Sequence, residues 1–73
     1  MDNAKKIELL EEMLDVDPGT LKPEMMLEEM DEWDSMTKLS LIVLMDEECG
    51  KKLTSVEIKQ FKTIQDIMNF MDV

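Results

Sequence analysis

The run SMTKLSLIVLMDEEC, from Ser35 to Cys49, contains neither glycine nor proline and is closed by Gly50. It predicts a helix over residues 35–49. Asp34 or Ser35 supplies an N-cap. Gly50 falls at the C′ position, with Lys51 and Lys52 near the negative end of the helix dipole. At about 100° per residue, Leu41, Ile42, Leu44, Met45 and Cys49 share one broad arc. Met36, Leu39 and Val43 share a second, narrower one. One apolar stripe suffices to pack a surface helix. Two arcs leave two readings: a central helix buried on both sides, or a second patch kept for a partner. In so small a domain the partner patch is favoured. Asp46 and Glu47 flank it, so it suits an apolar spot ringed by lysine or arginine.

The rest of the chain is also helical in pattern. Ile7, Leu10, Met13 and Leu14 fall at helical spacing, which predicts a first helix over 4–15, with Glu8, Glu11, Glu12 and Asp15 outside the stripe. The turn signal DPGT, Asp17 to Thr20, stops it. Residues 21–34 form a long connection with room for a short helix. Its Leu21, Met25, Met26, Leu27 and Met30 are apolar enough to be pinned to a core. Thr54-x-x-Glu57 fits a capping box and opens a short third helix. Thr63-x-x-Asp66 resembles a second box and precedes a last helix carrying Ile64, Ile67, Met68 and Met71. The expectation is one all-α domain over 1–73, a four-helix bundle with three longer helices, a short third helix and a long loop between the first two.

Eighteen acidic residues against eight lysines give a net charge of −10. Such a chain repels nucleic acid phosphates and anionic lipid, and favours proteins with basic docking surfaces. The longest apolar run, LIVLM, is far short of the roughly 20 residues that span a bilayer. A single cysteine, Cys49, forms no internal disulfide. A cytoplasmic monomer without membrane or nucleic acid partners is expected. With no histidine, Ser-His-Asp and Cys-His catalysis are excluded. No structural zinc set, phosphate-cradling glycine loop or calcium loop is present, so no metal site and no catalytic residue is assigned. Ser35 thus lacks a base of its own, and any reaction at its hydroxyl depends on another protein. At a helix N-terminus it is well placed to carry a phosphate.

The run DSMTKLSLIVLMDEECGKKL, Asp34 to Leu53, resembles the acyl carrier protein family, which has Asp-Ser-Leu or Asp-Ser-Met at the start of its second helix. The order of elements, the length and the acidity extend the resemblance over almost the whole chain. It implies an acyl-carrier fold and no enzymatic activity. It implies that Ser35 receives 4′-phosphopantetheine from coenzyme A through a phosphopantetheinyl transferase, with Asp34 the adjacent motif residue. Acyl groups then travel as thioesters to acyl-transferring, condensing or acyl-activating enzymes of fatty acid, polyketide or other specialised biosynthesis. Met36 matches the apolar residue that touches partners, with Leu39, Val43, Asp46 and Glu47 as further partner-binding candidates. Leu41, Ile42 and Met45 match positions lining the acyl-chain pocket.

The sequence also departs from common fatty-acid carriers. Glu32 stands where they have glycine, and Thr37 and Ser40 stand where they have acids. Cys49 replaces a phenylalanine, and Lys38 adds a positive charge. Trp33 resembles a feature of stand-alone carriers in specialised pathways and of some amino acid carriers. An aminoacyl or peptidyl carrier is therefore one alternative. A small acidic protein–protein adaptor, with Ser35 only a helix cap, is another.

Overall fold

A computed structural model describes residues 2–71. Its order is α1 (Asn3–Leu14), a 3-10 turn (Leu27–Glu29), α2 (Ser35–Cys49), α3 (Ser55–Gln60) and α4 (Ile64–Met71). The expected helical bundle is observed, with three longer helices, a short third and a long connection before α2. One hydrophobic cluster draws on all four helices and on the connection. Leu10, Leu27, Leu41, Met45, Ile64, Ile67 and Met68 are its most buried members.

The first helix differs from the expected one in face and in end. Leu9, Leu10 and Leu14 are buried, whereas Ile7 and Met13 are only half-buried. Lys6 and Glu11, two charged residues, are buried with them. The helix stops at Leu14 because Asp15 turns left-handed, at φ 59°. The Asp15 N–H donates to the Glu12 carbonyl at 3.2 Å, and the Val16 N–H to the Glu11 carbonyl at 3.1 Å. The DPGT turn therefore follows the stop instead of making it.

Glu11, expected outside the stripe, has a structural task. Its carboxylate accepts the Gly19 N–H at 2.7 Å and the buried Leu21 N–H at 3.2 Å. One side chain thus satisfies two donors of the turn that carries the chain out of α1. Glu11→Ala leaves both unmade and is expected to cost about 1.5–3 kcal/mol, the range for bonds to a charged group. Urea unfolding against Glu11→Gln, which keeps an acceptor oxygen, measures it. A loss under 0.5 kcal/mol, the ordinary surface scatter, would contradict this role.

The long connection is held by backbone pairing. Met26 and Thr63 form an isolated antiparallel bridge. The Leu27 N–H donates to the Lys62 carbonyl at 2.9 Å, the Ile64 N–H to the Met25 carbonyl at 3.1 Å, and the Gln65 N–H to the Pro23 carbonyl at 2.8 Å. Leu21 and Leu27 then bury against the core, and Met25, Met30 and Trp33 pack on it half-buried.

Both capping boxes form. In the first, the Glu57 N–H donates to the Thr54 hydroxyl and the Thr54 N–H to the Glu57 carboxylate. In the second, Asp66 accepts from the Thr63 N–H at 3.1 Å and from the Lys62 N–H at 2.9 Å, while its own N–H donates to the Thr63 hydroxyl. These backbone donors, Lys62 first, hold the Asp66 carboxyl below its ordinary value of 3.8. A carboxyl lowered on folding stabilises the fold fully above its unfolded value, and that contribution fades as pH falls through the folded one. Asp66→Asn is therefore expected to melt below the original protein at neutral pH, with the two curves converging under acid. Melts spaced equally at every pH would contradict it.

Candidate functional site

Ser35 is the first residue of α2, and the turn around it is built by its neighbours. Asp34 is the N-cap, in extended conformation, and its carboxylate accepts the Thr37 N–H at 2.9 Å. That bond is the main reason its carboxyl lies below the ordinary value. The Thr37 hydroxyl donates back to the Glu32 carbonyl at 2.6 Å, and the Asp34 N–H donates to the same carbonyl at 3.0 Å. Of the two candidate caps, Asp34 has the role. Ser35 is exposed, and its hydroxyl makes no hydrogen bond to any described residue.

Two of the sequence departures acquire a physical reading here. Thr37, in place of an acid, ties the entry of α2 to the preceding turn. Glu32, in place of glycine, needs no left-handed backbone: Asp15 is the one non-glycine residue with positive φ among those described. Trp33 packs half-buried on the core, with the Lys38 ammonium 5.8 Å from its ring centre. Cys49 is half-buried at the end of the helix.

The two apolar arcs of α2 have different fates. Leu41 and Met45 lie in the core at zero exposure, with Ile42, Leu44 and Cys49 half-buried beside them. The narrower arc is not buried. Met36 is 79% exposed, Leu39 64% and Val43 55%. Val56 on α3, which sequence reasoning missed, is also exposed at 64%. A lone valine two residues into a short helix gives no periodic signal. Asp46 and Glu47 are exposed, and they line a cleft of about 420 Å³ with Ile42, Val43 and Leu53.

A second cleft, of about 320 Å³, runs from Ser35 between α2 and α3. Leu39, Ile42 and Ile58 form its apolar wall, and Lys38 and Lys59 stand at its sides. Of the three residues expected to line an acyl pocket, Ile42 borders this surface cleft, while Leu41 and Met45 lie behind it in the core. Lys59 also borders a third cleft, of about 440 Å³, with Trp33, Phe61 and Lys62. Among the described residues, no cluster of three acidic or thiol side chains could hold a metal ion, and no helix is long and apolar enough to cross a membrane.

No family model matches the chain, and no solved structure matches it significantly. Curated proteins do. The chain is 31% identical to an acyl carrier protein of Thermosynechococcus vestitus over 64 residues, covering 88% of this chain and 79% of that one. It is 28% identical to an acyl carrier protein of Micrococcus luteus over 65 residues, covering 89% and 80%. Identity at this level over nearly the whole chain, joined to a four-helix fold with an exposed Asp-Ser-Met at the head of α2, makes this chain a member of the acyl carrier protein family, a carrier and not an enzyme.

Proposed function

We propose that the protein carries acyl intermediates on a 4′-phosphopantetheine arm joined to Ser35 and presents them, as a cytoplasmic monomer, to enzymes of fatty acid, polyketide or other specialised biosynthesis. The observation that carries this reading is the Ser35 hydroxyl. It is exposed, it has no hydrogen-bond partner among the described residues, and a different residue caps its helix. The residues fit the arm. The first-turn N–H groups and the positive end of the α2 dipole favour a phosphodiester at this point, and the cleft between α2 and α3 begins at the same residue. When bound, the arm supplies a thiol on which acyl groups are held as thioesters.

Attachment exchanges the Ser35 O–H bond for an O–P bond. The pyrophosphate bond of coenzyme A breaks, adenosine 3′,5′-bisphosphate leaves, and the hydroxyl proton passes to a base of the transferase. This chain contributes the nucleophilic oxygen and its presentation, with Asp34 shaping the turn. Partners dock on Met36, Leu39, Val43 and Val56, with Asp46 and Glu47 meeting basic side chains. Such contacts are weak and salt-sensitive, because exposed charges are screened beyond about 8–10 Å. Incubation with coenzyme A, Mg²⁺ and a broad-specificity phosphopantetheinyl transferase is expected to add the mass of one arm. No addition where a control carrier is fully converted would refute the reading.

A further inference from the structure

The cleft that opens at Ser35 departs from the charge of the molecule, although Asp34 and Glu32 are exposed on the turn before it. The chain as a whole carries −10. Yet the cleft from Ser35 has two lysines on its walls and no acid, and the adjoining cleft has two lysines and one acid, Glu28. Lys59, on α3, borders both. Lys38 lies over the Trp33 ring. Neither Lys38 nor Lys59 forms an ion pair with a described residue, although acids outnumber lysines more than twofold in this chain. Lys62 is less available, since it lies close enough to Asp66 to help lower that carboxyl.

The middle of the Ser35 cleft is apolar, through Leu39, Ile42 and Ile58. The apolar wall and Lys59 thus border one cleft with Ser35. We propose that Lys59 is a specificity-determining residue, and that this cleft shelters an acyl cargo ending in a carboxylate in preference to a neutral acyl chain of equal length. The inference rests on the carrier reading of Ser35. Its physical basis is charge complementarity. Elsewhere the acidic surface repels an anionic chain end. Beside Lys59 the same end gains an ion pair next to apolar side chains, where attraction exceeds that in bulk water. Preference for one cargo is a difference of two affinities, and here the ion pair supplies the difference.

The test compares two holo proteins. One is loaded from octanoyl coenzyme A and the other from suberoyl coenzyme A, which has the same carbon count and a terminal carboxylate. Intact mass reports loading. Backbone amide NMR shifts of Ile42, Ile58 and Lys59, relative to the unloaded holo protein, report sheltering. A partly exposed ion pair shifts such an equilibrium by roughly 1.5- to 5-fold. The suberoyl form is expected to be the more sheltered by that factor. Lys59→Gln should abolish the difference, Lys59→Arg should restore it, and high salt should reduce it. Equal shifts from the two cargoes, or a difference that survives Lys59→Gln, would overturn the proposal while leaving the carrier reading intact. Absence of any mass gain would overturn both.

Discussion

Ser35→Ala is expected to melt with the original protein and to accept no arm at all. The two halves of that result have separate physical causes. Ser35 is exposed at the first helical position, its hydroxyl has no described partner, and the cap belongs to Asp34. Alanine has the best helix propensity. Removing an unpartnered surface hydroxyl changes stability by no more than about 0.5 kcal/mol. Modification, in contrast, needs the oxygen itself. Intact mass after transferase treatment and a thermal melt of the same sample read both halves. An arm found on Ser35→Ala would place the attachment elsewhere and defeat the assignment.

Ser35→Asp and Ser35→Asn extend the test to the adaptor alternative. Both leave the Asp34 cap in place, so both should fold. A protein that worked only by docking its exposed face would keep its function in these variants. A carrier would lose it. The position of the cap makes the comparison cleaner, because a change at Ser35 no longer alters how the helix begins.

The second large effect is expected inside α2. Leu41 has no exposure, and it packs in the cluster with Leu10, Leu27 and Ile64. Leu41→Ala removes buried methyl groups and leaves a cavity, at about 2–5 kcal/mol. A core this small rarely supplies more than about 3–5 kcal/mol of net stability, so the variant is expected to be largely unfolded at room temperature. Leu39→Ala, two residues away, removes a side chain that is 64% exposed and is expected to stay within about 0.5 kcal/mol. Urea unfolding of both variants measures the contrast. Similar costs at the two positions would mean that the arcs are not divided between core and surface.

That division was partly legible in the sequence. Spacing alone separates Leu41 and Met45 from Leu39 and Val43, since a helix turns by a fixed angle. Gly50, the Thr54–Glu57 box and the Thr63–Asp66 box were also readable, because caps are local and act within four residues. Asp34 against Ser35 as cap was not decided, because adjacent residues of similar capping strength differ only in backbone conformation. Glu11 was misplaced for a related reason. A helical wheel assigns a glutamate to solvent, and only the turn at Gly19 and Leu21 shows what its carboxylate binds. The left-handed Asp15 hid in the same way, since proline and glycine just beyond it gave the stronger stop signal. The clefts bordered by Lys59 were beyond any local pattern, because they join residues of α2, α3 and the connection.

The bridge between Met26 and Thr63 joins segments from opposite halves of the chain. Closing so wide a loop costs entropy that grows with the logarithm of its length, and contacts of this kind slow folding. During synthesis the N–H of Leu27 and the carbonyl of Met25 must stay hydrated until residues 62–64 have left the ribosome. The anchoring of the long connection thus comes late, once the start of α4 has been made. The turn at Ser35, in contrast, is closed by bonds among residues 32–37, so a nascent chain can frame the serine before the connection that leads to it has been pinned down.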